Sequence, residues 1–406
     1  MARPAKERHQ FHLKQGAALM LMLLIIILGG VTFLVSSLNS ASLLIERDNK
    51  TTIALAQAKE ALIGDTASSP SILSAGYLRL PDLGFGMGNV PAEGSSPPNF
   101  SGNNSDLSVI GKLPWKTLAI SPSRDGSGEC LWYVVSGRFK NNPTSNSAFN
   151  WDTAGQIDVF DGNEKSIALN MAALIIAPGK PLDLQSHAQS NPVYTQCGGN
   201  YDARNYLDPY NKFNATYEEF NYFTGGTNNR LAPNDKNKRF VLTLNSHYND
   251  RLQFITADDI FRPIIRRSDF SSQITALKND PYFLTAAPTN NNKGIGSNIC
   301  NSLLPNNQIF CINWKEMLLL ANLPTPSSIV IDGASTGICR RVLIFGGQKI
   351  AAQSRITSAD KSNPANYLEN ANLAAFATPT AVSNHFTGFS TFNANNPSAD
   401  ILRCIP

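Results

Sequence analysis

Charge is scarce along this chain. Only 16% of its 406 residues are charged, and none of the nineteen from Ala17 to Val35 is. Net formal charge is +4, and the first sixteen residues carry +3 of it through Arg3, Lys6, Arg8 and Lys14 against Glu7. The remainder is close to neutral, so no nucleic-acid partner is inferred. Proline is missing between Pro4 and Pro70, and cysteine is missing before Cys130. The first absence leaves nothing to break a long helix. The second leaves no disulfide to tie down the N-terminal segment. No G-x-x-x-x-G-K-[ST] and no H-E-x-x-H occurs, which removes those nucleotide and zinc signatures. His187, His247 and His385 stand alone, without ligand spacing.

What is there begins with the apolar run. At ~1.5 Å per residue its nineteen positions extend roughly 28 Å, near the thickness of a bilayer's hydrocarbon core. The cationic head predicts a cytoplasmic N-terminus, a transmembrane segment over 17–35 and an exported remainder. Amphipathic sequence follows through Ile45-Glu46-Arg47 to Ala61-Leu62-Ile63, where Leu55, Ala58 and Leu62 recur at helical spacing as a packing face.

A basic leader, then Gly16, then an apolar helix passing into an amphipathic one resembles the N-terminus of type IV pilin-like proteins. The resemblance implies cleavage by a prepilin peptidase between Gly16 and Ala17, N-methylation of Ala17, and a leader peptide over 1–16. It also implies a helix over 17–64 that assembles with other pilin-like subunits. The family usually carries Glu at the fifth mature position, where this chain has Leu21. That departure is similar to the large tip pseudopilin of type II secretion and to some minor pilins. Ala56–Gly64, Leu80-Pro81-Asp82, Gly111–Leu118 and Gly128–Tyr133 also resemble large proteobacterial prepilin-like proteins. The function implied is a structural subunit, a minor pseudopilin or minor pilin at or near a fibre tip, which touches secreted cargo and is not an enzyme. The alternative is a membrane-anchored periplasmic binding module outside any fibre. Either reading places the chain in the inner membrane with a single pass and a periplasmic C-terminal part.

The expected fold is α+β: the long helix packed on a mostly antiparallel β domain with an internal repeat. Strands are predicted over Leu131–Val135, Gln156–Phe160, Ala172–Ile176, Phe240–Leu244, Leu252–Thr256, Ser328–Ile331 and Arg341–Phe345 from their Val, Ile, Phe and Tyr content. Helices are predicted over Ala257–Lys278, interrupted by Pro263, and over Asn313–Ala321. The stretches 92–105 and 287–297 read as loops.

Short words recur in order. Leu174-Ile175-Ile176, Gln185-Ser186-His187, Asn205-Tyr206-Leu207 and Phe223-Thr224-Gly225 match Leu343-Ile344-Phe345, Gln353-Ser354-Arg355, Asn366-Tyr367-Leu368 and Phe386-Thr387-Gly388. Two copies of one unit are expected at 150–230 and 325–406. Residues 65–149 precede them, and a segment with helices, 231–324, separates them. Duplication of a structural unit explains the pattern. A groove between the copies lined by Gln185, His187, Gln353 and Arg355 is the functional alternative.

The six cysteines, Cys130, Cys197, Cys300, Cys311, Cys339 and Cys404, suit an oxidising compartment and allow fifteen pairings. Cys300–Cys311 as a small loop, Cys339–Cys404 as a C-terminal tie and Cys130–Cys197 by remainder is the arrangement expected. Gly333-Ala334-Ser335-Thr336-Gly337 matches a nucleophile elbow in letters, but a strand-like segment follows where the elbow needs a helix. Asp158, Asp161, Asn163 and Glu164 offer oxygen ligands for calcium near a Gly turn, and the same residues are ordinary turn chemistry. No other cofactor is expected.

Overall fold

A computed structural model of the chain describes residues 9–84, 93–98, 108–140, 148–182, 185–188, 196–198, 200–208, 238–245, 248–286, 292–378 and 385–406. His247, Phe223-Thr224-Gly225 and most of the 92–105 loop lie outside these. The first element is one unbroken helix, α1, His9–Ala67. Its last turns bury Ala54, Leu55, Ala58 and Leu62 at i, i+3 and i+4 spacing, as the sequence predicts.

One assignment is corrected. Among the described residues, no helix is long and apolar enough to cross a membrane. The apolar side chains described there, Met20–Leu28, cover about 13 Å of helix rise, under half of a ~30 Å hydrocarbon core. The transmembrane first half assigned to 17–35, and the single-pass inner-membrane placement that followed from it, are therefore withdrawn. The α+β arrangement with antiparallel sheets remains.

Two four-stranded sheets follow α1. The first contains β1 (Val109–Lys112), β2 (Trp132–Val135), β5 (Ala173–Ala177) and β7 (Arg251–Ile255), in the order β1-β2-β5-β7. The second contains β8 (Lys293–Gly294), β9 (Leu318–Ser327), β12 (Cys339–Phe345) and β14 (Ile401–Ile405), in the order β8-β9-β12-β14. Both are antiparallel throughout.

Each has a smaller companion sheet built the same way. In the first, the hairpin β3 (Ile157–Asp161) and β4 (Ser166–Met171) takes β6 (Lys238–Leu242) as a parallel third strand on β3. In the second, the hairpin β10 (Val330–Ile331) and β11 (Ala334–Ser335) takes β13 (Thr387–Gly388) parallel on β10. Seven strands thus recur in one chain order and one pairing scheme. The two units share topology over β1–β7 and β8–β14, a longer span than the repeated words cover.

Helices complete the parallel. Ala257–Ile265 forms α2 and Ser268–Lys278 forms α3. Thr256 caps α2 through a reciprocal box with Asp259. α1 lies across β5 and β7, and α3 lies on β14. The break between α2 and α3 falls at Arg266-Arg267, not at Pro263, which α2 absorbs. Tertiary bonds account for this. The Arg267 guanidinium pairs with Asp269 and donates at 2.8 Å to the carbonyls of both Ala67 and Ser69, at the end of α1.

Central strands bury both faces. In the first sheet, Tyr133, Val135, Ala173 and Ile175 face α1 and join the main core. Trp132, Val134, Leu174 and Ile176 point the other way, into a second core with Ile157, Val159 and Phe240. The helix predicted over Asn313–Ala321 is corrected. A helix, α4, spans Pro305–Trp314, and Leu318–Ala321 is strand. An uninterrupted apolar run of that length suits a central strand as well as a buried helix.

Candidate functional site

Two features stand apart from packing: the free length of α1 and a cleft between the two units. From Ser42 to Lys50 every α1 residue is exposed, and burial begins at Thr51. The exit is clamped. Arg251 pairs with Asp48 at 2.8 Å, and the Gly126 N–H donates to Thr51 Oγ1 at 2.9 Å. Gly126 is held so close to Arg47 that a Cβ there would sit 2.2 Å from the Arg47 carbonyl oxygen. Below the clamp every α1 side chain that is described is exposed. The nine side chains from Met20 to Leu28 are 55–77% exposed, Leu21 among them at 66%. Gly16 and Ala17 lie on the same helix, inside its backbone run.

The cleft holds about 800 Å³. Its first wall comes from the first unit: Tyr77 stacked on Phe149 at 4.0 Å, Trp151, Asp152, and the β4 end Leu169–Met171. The facing wall comes from the second unit: Glu316, Gln348, Lys349, Arg355, Ile356 and Lys361. Asp258, at the start of α2, closes one end.

Polar groups bind the walls together. The Asp152–Arg355 pair is almost wholly buried, with oxygen and nitrogen 3.4 Å apart. Arg355 also donates to the carbonyls of Gly347 and Asn366 and to Gln353 Oε1, and its guanidinium lies 4.3 Å over the Tyr367 ring. Glu316 accepts from Lys361 at 2.9 Å and from Asn150 at 3.3 Å. Asp258 accepts from Trp151 Nε1 at 3.0 Å and Gln348 Nε2 at 2.8 Å. Burial raises the Asp152 carboxyl despite Arg355.

The repeated glutamines occupy equivalent places. Gln185 Oε1 accepts the Leu182 N–H and its Nε2 donates to Asp208; Gln353 Oε1 accepts the Ile350 N–H and its Nε2 donates to Glu369. The residues two positions on diverge. Arg355 reaches across to the first unit. His187 stays within its own unit, stacked on Tyr206 at 4.3 Å. Its Nδ1 is 3.0 Å from Glu129, yet neither ring nitrogen makes a hydrogen bond among the described residues. The expected four-residue groove is thus not assembled: Arg355 lines the cleft, Gln353 braces it, and Gln185 and His187 lie elsewhere.

Behind the first sheet sits a buried acid–base pair that sequence reading missed. The backbones of Asp82 and Lys112 exchange N–H···O bonds of 2.9 and 3.0 Å. The Asp82 carboxylate accepts from the N–H groups of Gly84 and Gly94 and from Tyr201 Oη. The Lys112 ammonium donates to the Cys197 carbonyl and lies 4.8, 5.1 and 5.9 Å from the rings of Tyr201, Tyr206 and Trp132. Burial pushes Asp82 up to about 6 and Lys112 down to about 8. The pair holds the segments around Gly94 and Cys197 against the sheet. In the second unit Ile295, whose N–H bonds to the Leu318 carbonyl, takes the place that Lys112 takes opposite Trp132, so the hub has no counterpart there among the described residues.

The cysteines form three bridges, Cys130–Cys197, Cys300–Cys311 and Cys339–Cys404. Among the described residues no group of three or more His, Cys, Asp or Glu is placed to hold a metal. Of the calcium candidates, Asp161 spends its oxygen on the N–H groups of Asn163 and Lys165 at 2.9 Å, and Asp158 accepts from Asn170 N–H at 2.8 Å. Glu164, at φ +63°, and Asn163 belong to the β3–β4 turn. Ser335 is exposed on β11, beside the Asp332-Gly333 turn with φ +53° and +79°, and strand β12 follows it. The elbow geometry is not formed there.

No family model matches the chain, and no curated protein or solved structure matches it.

Proposed function

We propose that the chain is a pilin-like assembly subunit, a minor pseudopilin or minor pilin, whose N-terminal helix packs among like helices in a fibre. One observation supports this above the rest: Met20–Leu28 is apolar on every side of a helix that stands clear of the globular part. A helix apolar all round requires cover all round. Neighbouring helices of the same kind supply it, and burying such a stretch yields about 1.5–3 kcal/mol per large side chain. The clamp around Asp48, Thr51 and Gly126 fixes the direction in which the rod leaves the head. Three disulfides accord with work in an oxidising compartment.

On this reading a prepilin peptidase cuts between Gly16 and Ala17 and the new N-terminus is methylated. Leu21, in place of the family's usual Glu, suits a subunit at or near the tip. The second unit, carried at the far end of α1, gives the subunit a double head. Mass spectrometry of the chain made in cells with an active prepilin peptidase tests the reading. Chains beginning at N-methylated Ala17 are expected; chains that keep the first sixteen residues refute it.

A further inference from the structure

We infer that a depression between α3 and β14 binds a phosphate group, free or esterified on a small molecule. The depression holds about 440 Å³ and shares no lining residue with the cleft. Ser271, Thr275 and Lys278 line it from α3 at i, i+4 and i+7, so one helix face presents all three. Ser390 lines it from the segment after β13, and Arg403 from β14. Two of its lining side chains are cations and none is a carboxylate.

Three donors around this space are unspent. Arg403, half-buried, donates from Nε to Thr275 Oγ1 at 2.9 Å, from Nη2 to the Ser271 carbonyl and hydroxyl at 3.1 and 2.8 Å, and from Nη1 to the Leu402 carbonyl at 2.9 Å. These bonds fix the guanidinium and leave it one Nη1 N–H. Lys278, also half-buried, makes no hydrogen bond or ion pair among the described residues. Ser390 gives its N–H to Asp332 at 3.0 Å and its carbonyl accepts the Ser271 hydroxyl at 3.1 Å, while its own hydroxyl bonds to nothing described. Asp332 is the carboxylate whose charge supports Arg403 against burial. It is exposed, stands outside the lining and pairs with neither cation, so one positive charge stays unbalanced. In the first unit Leu174, the match of Leu343, faces Phe254 where Leu343 faces Arg403. The shared topology thus accepts an apolar side chain at this place, and packing does not require the guanidinium. A planar carboxylate is held best by two parallel N–H groups of one guanidinium. Arg403 has only one left, so the space offers separate point donors from three elements, which suit a tetrahedral phosphate. A phosphate monoester also brings about −1.5 to −2 charge at pH 7 against the two cations.

This site does not depend on the assembly reading, and retention of the leader would leave it standing. The test uses the full chain in a non-ionic detergent and isothermal titration calorimetry at fixed ionic strength, with inorganic phosphate, glycerol 3-phosphate and acetate as probes. Both phosphates are expected to bind at least about tenfold more tightly than acetate. Tighter binding of the ester assigns the site to a phosphorylated molecule, and equal binding of the two assigns it to the ion. Lys278→Gln and Ser390→Ala, both at half-buried positions, are each expected to weaken phosphate binding, the lysine change by about tenfold. Lys165→Gln, at an exposed lysine of the β3–β4 turn, is expected to leave it unchanged. Absence of phosphate binding, equal binding of phosphate and acetate, or an affinity that Lys278→Gln alters no more than Lys165→Gln does overturns the inference.

Discussion

Asp400 is the most informative residue to perturb. It stands just before β14, with its backbone carbonyl accepting the Phe389 N–H and its side chain almost fully buried. Its carboxylate accepts from Asn372 Nδ2 at 2.7 Å and is approached by the Gly347 N–H. Burial first, and the nearby Glu369 charge as well, push its carboxyl from 3.8 up to about 7, against the Asn372 and Gly347 bonds and the Arg355 charge. The sign follows from linkage. The folded chain keeps the proton where the unfolded chain has released it, so stability is full below pH ~4 and falls as pH rises through ~7. At one pKa unit per 1.36 kcal/mol the whole effect is about 4 kcal/mol, of which roughly 2.5 kcal/mol lies between pH 5 and pH 8. Asp400→Asn keeps the shape and cannot ionise. We expect urea unfolding followed by tryptophan fluorescence to show the variant gaining about 2–3 kcal/mol on the native chain between those two pH values. Asp82, Asp152 and Lys112 titrate in both proteins and cancel in the difference. A gap between variant and native chain that stays constant with pH refutes the argument.

Further outcomes follow from the same physics. Arg355→Met strands the Asp152 charge and should cost about 3–5 kcal/mol, while the double change with Asp152→Asn should recover most of it, both read by thermal melting. The bridges close loops of different length, 67 residues for Cys130–Cys197 and 11 for Cys300–Cys311. Replacing both cysteines of the first by serine should therefore lower stability by about 4 kcal/mol, against about 3 kcal/mol for the second, in chemical denaturation.

Local pattern revealed some elements and hid others. The seven predicted strands all have observed counterparts within two residues at each end, because each is a β-branched or aromatic run bounded by turn residues. The packing face Leu55, Ala58 and Leu62 was visible for the same reason of period. β1 and β4 were missed: Val109–Lys112 is four residues beside a Gly, and Ser166–Met171 is an edge with few buried positions. β9 was read as helix because Leu318–Ala321 has no alternation to betray a strand buried on both faces. The repeated words were legible, yet the strands that extend the repeat, β6, β7, β8 and β9, share topology without shared letters. The cleft could not be read. Asp152 and Arg355 are 203 positions apart, and nothing local marks either as the other's partner. Lys112 and Asp82 were within the quoted motifs, but a lone Lys in a strand carries no signal that its ammonium will be caged by rings.

The Arg267 guanidinium has one more consequence. It grips the last carbonyls of α1 from the start of α3, the helix that lies on β14, and Lys59 on α1 meets Asp259 on α2 at 3.0 Å. Any pull applied along the rod is therefore shared between both halves of the head at once. Tension cannot peel the first half away without also straining the second. Force on α1 reaches the β14 side of the molecule through α2 and α3 as directly as it reaches β5 and β7.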